Sequence, residues 1–181
     1  MLVSVAIFSI VMTLALGSLL ALSVADRKAE TLKSGVDNVT FALDSMSRAI
    51  RTGSNYHCGS SGTLTSAQNC PSGANYFTFL ASNGVQTTYL LDTLNTYCGQ
   101  TQAPYGCIER STDGGTTWIP ITSPDIIVQN VGNLFYVTGA ATGDGVQPKV
   151  TVTVNSSIPV STTQSTNVFM QTTATQRIYD Q

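Results

Sequence analysis

Beyond Arg51, where Ser, Thr and Tyr hydroxyls are plentiful, cysteine, histidine and charged side chains are few. They are Cys58, Cys70, Cys98 and Cys107, His57, six acids (Asp92, Glu109, Asp113, Asp125, Asp144, Asp180) and three bases (Arg110, Lys149, Arg177). The cysteines offer the sharpest chemistry. With His57 they could supply a Cys3His zinc set, but no two stand in the Cys-x2–4-Cys spacing that structural zinc sites favour. An even cysteine count in an exported domain points instead to disulfides, with three connectivities open. Local pairing, Cys58–Cys70 and Cys98–Cys107, is the preferred reading. Each pair brackets a turn-rich loop (Gly59–Gly62; Gln102–Gly106), and closing loops this short is worth ~3 kcal/mol. His57 then reads as a polar residue at a helix exit rather than a ligand.

The remaining inventory argues against catalysis and against a cofactor. Asp113 and Asp144 lie in Gly-rich turns, where aspartate is expected for backbone reasons. Neither a Gly-x-Ser-x-Gly elbow nor a phosphate loop is present, nor a calcium loop of the Asp-x-[Asp/Asn]-x-[Asp/Asn]-Gly type. Trp118 reads as hairpin or core packing. From His57 onward the formal charge is −3, six acids against three bases, with no basic cluster. Phosphate contacts need Lys and Arg in numbers, so no specific nucleic acid is expected. Binding through uncharged Tyr, Asn, Thr and Gln loops stays open.

The elements that must carry these residues read mainly as strands. Tyr76–Leu80 and Thr87–Leu91 flank Ser82-Asn-Gly84, a hairpin turn, and Cys107–Arg110 and Thr117–Ile121 flank Asp113-Gly-Gly115, another. Ile126–Val131 and Leu134–Val137 are short apolar runs around Gly132-Asn133. Lys149–Val154 alternates strictly, as a strand with one buried face should, and Val168–Ala174 is a last strand. Strands in series with hairpin turns imply an antiparallel sheet with one face free to receive a helix.

That helix is the dominant feature of the N-terminus. Met1–Ala25 holds no charged residue, whereas Asp26–Arg51 holds nine. The first segment exceeds the ~18 apolar residues that mark a membrane-span candidate; Leu2, Val3, Val5, Ile7, Phe8, Ile10, Val11, Leu14, Leu16, Leu19 and Leu20 form its apolar surface. A cleaved signal peptide would show a basic n-region and a shorter core. Leu32, Val36, Val39, Leu43, Met46 and Ile50 continue the pattern at alternating spacings of four and three, one face of an amphipathic helix. No proline precedes Pro71, so nothing forces a break. The expected object is one helix of about 50 residues, on the order of 75 Å long. Thr52-Gly53-Ser54-Asn55 ends it, with Gly53 a candidate left-handed cap. Three segments follow: residues 1–25, the transmembrane half of the helix; 26–53, its amphipathic half; and 54–181, an extracytoplasmic β-rich domain.

Met1–Phe8, running through an uncharged span into Phe41–Arg51, resembles the N-terminal helix of type IV prepilins. It is most similar to minor pilins and to the minor pseudopilins of type II secretion, whose helices often end in a Leu-Asp-x-x-x-Arg-x-Ile-Arg-like stretch. The resemblance covers residues 1–51. A looser similarity recurs in Asp113–Trp118 and Gln171–Arg177. It implies an α+β pilin-like fold, a long N-terminal helix packed on an antiparallel β-sheet. It implies too a structural or assembly subunit, with other pilin or pseudopilin subunits as partners and the inner membrane as its site before assembly. The family's mature N-terminus is an aromatic residue followed by Thr-Leu-[Ile/Val]-Glu, behind a basic leader ending in Gly. This sequence begins just after the place of that Glu; a start assigned too far downstream, a chain trimmed at its front, or a real loss of the motif would each account for this. The first two are preferred, and prepilin peptidase is a partner if a leader exists upstream.

Topology sets two signals against each other. Arg27 and Lys28 follow the span, and the positive-inside rule alone would put them in the cytoplasm. The cysteines argue for an oxidising compartment on that side, and a basic leader ahead of Met1 would reconcile the two. The expected location is the cytoplasmic membrane, single-pass, with the C-terminal domain extracytoplasmic, then a cell-surface or periplasmic filament. The competing class is a membrane-anchored extracytoplasmic binding or adhesion module that never polymerises.

Overall fold

The computed structural model describes residues 1–101, 103–129, 132–161 and 164–177. A single helix, α1 (Leu2–Arg51), accounts for the first fifty-one residues apart from Met1. Its length follows from uninterrupted helix-compatible sequence with no proline to remove a backbone donor. Its end departs from expectation. Thr52, not a left-handed residue, is the C-cap, with φ −96°. Gly53 is absent from the glycines with positive φ. What Gly53 supplies is room: a Cβ there would collide with the Phe79 ring. The terminal carbonyls, which any helix leaves without intrahelical donors, find partners from afar. Ile50 O accepts the Gly53 N–H at 2.9 Å and the Tyr56 hydroxyl at 2.6 Å. Arg51 O accepts the Arg177 N–H at 2.9 Å, so the closing segment caps the helix.

Among the described residues ten strands follow: β1 (Ser54–Cys58), β2 (Cys70–Ala74), β3 (Tyr76–Leu80), β4 (Gln86–Asp92), β5 (Cys107–Ser111), β6 (Ile119–Pro120), β7 (Ile127–Gln129), β8 (Phe135–Thr138), β9 (Lys149–Pro159) and β10 (Ser165–Thr175). They form two five-stranded antiparallel sheets rather than one. The first runs β1-β3-β4-β5-β6 and the second β10-β9-β8-β2, with β7 also on β9. Both expected hairpins form, β3–β4 with Phe77 opposite Tyr89 and β5–β6 with Arg110 opposite Ile119. Among the described residues the runs around Gly132-Asn133 do not pair with each other; Asn130 and Val131 lie outside the described residues. β8 pairs with Lys149–Val152 and β7 with Asn155–Ser157, so they follow one another along a single edge of β9. The strict alternation of β9 places Val150, Val152 and Val154 in the core.

The sheets meet over aromatic rings. Phe77 of the first sheet lies 5.4 Å from Phe135 of the second, and Phe79 stacks on Tyr89 at 5.9 Å. The helix rests chiefly on β10 and β9. Its Val39, Leu43, Met46 and Ile50 join the same cluster of buried residues as these rings. The fold class is therefore α+β, with one apolar core shared by helix and sheets.

Candidate assembly and membrane surface

The two halves of α1 face different surroundings. Leu2, Val3, Val5, Ile7, Phe8, Ile10, Val11, Leu14, Leu16, Leu19 and Leu20 are all exposed, because the domain begins to cover the helix only near Lys28. The most apolar 18-residue window has a mean hydropathy of 2.4 and no buried residue, which makes this half a candidate membrane span. Leaving these side chains in water costs on the order of 10–20 kcal/mol at about 25 cal/mol per Å². Its polar residues do not spoil the apolar surface. Ser4, Ser9, Thr13 and Ser18 donate their hydroxyls to carbonyls three or four residues back in the same helix. A hydroxyl satisfied inside its own helix can face lipid or another helix without an unpaired donor.

The lower half is held to the domain by shape. Val39, Leu43, Met46 and Ile50 are buried, while Leu32 and Val36, nearer the free half, are half-buried. Between them Gly35 allows the closest approach: a Cβ there would stand 2.7 Å from Ile158. Asn38 Oδ1 accepts the Ser123 N–H at 3.0 Å, and Lys28 Nζ donates to Gln164 Oε1 at 2.7 Å. Where the domain ends, an open groove of ≈ 660 Å³ lies between helix and sheet, lined by Arg27, Glu30, Ser34, Asn38 and Asp125 among others. Phe41 is exposed.

The disulfides pair as Cys58–Cys70 and Cys98–Cys107, with Cα–Cα distances of 5.6 and 5.7 Å. The first joins β1 of one sheet to β2 of the other, and so staples the two layers. With all four thiols used in disulfides, the residues of the zinc alternative are otherwise engaged. His57 is not at a helix exit but fully buried in β1. Its ring nitrogens lie 2.7 Å from Ser66 O and 2.9 Å from Ser61 O, which pins the Cys58–Cys70 loop. Trp118 packs edge-on to Tyr76 at 6.2 Å, within the expected hairpin region. Asp113 organises that turn, accepting the Thr116 and Thr117 N–H groups. Hydrogen bonds from Thr117, and then from Ser111 and Thr116, hold its carboxyl down at about 2.

Sequence reasoning missed a buried carboxyl pair. Glu109 is 1% exposed and sits beside the Cys98–Cys107 disulfide, in reach of Asp92. Burial, then the Asp92 charge, then their mutual hydrogen bond push the Glu109 carboxyl up to about 7. Asp92 in turn accepts the Leu94 and Thr96 N–H groups at 2.7 Å. A signal was available: Glu109 has the strand parity of Cys107, and a disulfide cysteine faces inward.

No family model matches the chain, and no curated protein or solved structure matches it.

Proposed function

We propose that this chain is a structural or assembly subunit, a minor pilin or pseudopilin of a type IV pilus or type II secretion-like filament, inserted through its N-terminal helix. The observation that carries this reading is one unbroken helix with two surroundings: an apolar half left wholly exposed, and an amphipathic half fixed to a disulfide-stapled domain. An exposed apolar surface of this size needs cover. Lipid supplies it before assembly, and neighbouring copies of the helix supply it in a filament. The sequence resemblance over residues 1–51 supports the same reading, and the architecture is compatible with it. In this role the protein is single-pass, its domain extracytoplasmic, its partners other pilin or pseudopilin subunits, with prepilin peptidase acting on any leader ahead of Met1. The role is mechanical and uses no catalytic residue.

The competing reading, an anchored binding module that does not polymerise, uses the same helix as a tether only. Leu16→Cys, introduced in the full-length gene and oxidised in native membranes, separates them. A filament subunit gives cross-linked species with itself or with another helix-bearing subunit. Monomer alone, in chain that fractionates with membranes, refutes assembly. The codons ahead of Met1 give an independent check: Gly, an aromatic residue, Thr, Leu and Glu behind a basic stretch are expected.

A further inference from the structure

A strand at the end of a sheet leaves a row of backbone groups unpaired, and proteins blunt such edges with shortness, proline, charge or bulges. Three of the four strands that end the two sheets carry such devices. β6 has two residues, one of them Pro120. β2 contains Pro71 and meets β8 in an irregular register. β1 is irregular as well, and the Gln68 segment lies along it, with Cys58 N–H donating to Gln68 O at 3.1 Å. β10 has none of these. It runs for 11 residues without a charge, proline or glycine, in unbroken register with β9. Its outer edge takes no backbone partner among the described residues.

The helix turns this edge into a seat. α1 lies more over β10 than over β9, so one side of it overhangs the end of the sheet. Beside the overhang is a groove of ≈ 280 Å³, lined by Thr40, Leu43 and Asp44 of α1 and by Met170, Gln171 and Thr172 of β10. Val168, Met170 and Thr172 share one parity of β10 and are only half-buried; Met170 takes the Thr40 hydroxyl at 3.8 Å, which puts this row on the helix side. The apolar layer between helix and sheet therefore stops unfinished at β10. Asp44 is the one charge lining the groove.

We propose that the outer edge of β10 accepts an extended segment of another polypeptide as a further strand, antiparallel to β10. Its helix-side positions carry small apolar side chains, with a basic one facing Asp44. In such additions main-chain hydrogen bonds give affinity and pockets for alternate side chains give selectivity; the free edge and the groove supply the two. The side-chain rows of β10 serve a neighbour on either edge. A β9-like segment would thus repeat outside the pairs made inside, Met170 with Val154 and Ala174 with Val150. Direction disfavours a second copy. Lys28 reaches Gln164 at 2.7 Å and Arg51 O takes the Arg177 N–H at 2.9 Å, so β10 runs alongside α1 in the same sense, away from the candidate span. Copies anchored in one membrane hold their β10 strands parallel, the slightly weaker pairing. Nothing here depends on whether the chain polymerises.

The probe is a capped peptide of the β9 sequence, Lys149–Pro159, carrying Val152→Lys at the position that β9 sets opposite Thr172. Its twin carries Val152→Glu. The full chain in detergent is titrated with each while amide hydrogen exchange along β10 is followed. Saturable binding of the lysine peptide is expected, with Kd of about 0.1–1 mM and slowed exchange at alternate amides of Ser165–Thr175. The glutamate peptide should bind about tenfold more weakly. In the chain, Asp44→Lys should reverse that preference, and Thr172→Lys should weaken both peptides about tenfold. Where Thr172→Lys lowers the melting temperature, the reversal by the exposed Asp44→Lys decides. The proposal is overturned if neither peptide saturates, if protection falls on β2 or β6 instead, or if Asp44→Lys leaves the preference unchanged. It is overturned too if the outward β10 amides of the parent become protected as its own concentration rises, since a second copy then holds the edge.

Discussion

Replacing Glu109 by glutamine isolates the cost of a carboxyl buried beside another carboxyl. In the folded chain Glu109 is held at about 7, against 4.5 for the free group. Between those two values the folded chain keeps the proton and the unfolded chain has released it. Stability is therefore fully present below about pH 4.5, declines as pH rises through about 7, and levels off above. Each tenfold change in proton affinity is worth about 1.4 kcal/mol. The full span corresponds to about 3 kcal/mol, and side-chain relaxation and local polarity reduce it to about 2 kcal/mol. Glutamine keeps the shape and can donate its amide to Asp92, as the protonated acid does, but cannot ionise. Glu109→Gln should match the parent at pH 4 and exceed it by about 2 kcal/mol at pH 8. The assay is urea unfolding of the full chain in detergent, followed by Trp118 fluorescence from pH 4 to 9. A parent whose stability is flat across that range, or a variant less stable than the parent at pH 8, would refute the reasoning.

Further outcomes follow from the same structure. Met46→Ala, which removes a fully buried side chain, should cost about 2–5 kcal/mol, whereas Leu32→Ala at the half-buried end should cost under about 1.5 kcal/mol; the same unfolding curves measure both. Gly35→Ala should destabilise by about 1–3 kcal/mol through its clash with Ile158. Gly17→Ala, with nothing within 4 Å, should be neutral or better, as thermal melts would register. Replacing Cys98 and Cys107 together by serine should cost ~3 kcal/mol and lower the melting temperature, with the Cys58–Cys70 bond retained by mass spectrometry. Leu16→Asp should shift the chain from the membrane to the soluble fraction, since a charge at the centre of a span costs about 3 kcal/mol.

At low pH a separate window belongs to Asp113. Its carboxyl lies below the usual 3.8, so the support it gives the β5–β6 turn is present above that value and lost as pH falls towards 2. This window does not overlap that of Glu109, and Asp113→Asn should remove it without altering the transition near pH 7.

The sequence by itself determined the features set by local order. The absence of charge before Asp26 and of proline before Pro71 made α1 legible over its whole length. The stripe Leu32–Ile50 named the face that packs. Gly84, Gly114 and Gly115 marked the two hairpins, because turns with positive φ favour glycine. The short spacings Cys58–Cys70 and Cys98–Cys107 made their pairing readable too. What the tertiary structure alone decided are contacts between segments distant in the chain. One expected sheet became two because β2, which lies between β1 and β3 in the chain, pairs with β8 while β1 pairs with β3. Gly53 serves proximity to Phe79 rather than a left-handed turn, and the Arg51 carbonyl takes its partner, the Arg177 N–H, from the opposite end of the chain. His57 passed from a helix exit to the interior because two carbonyls of its own disulfide loop receive its ring. Glu109 and Asp92 become neighbours only through strand register. A residue's parity can be read along one strand, but the residue opposite it is fixed only when the strands pair.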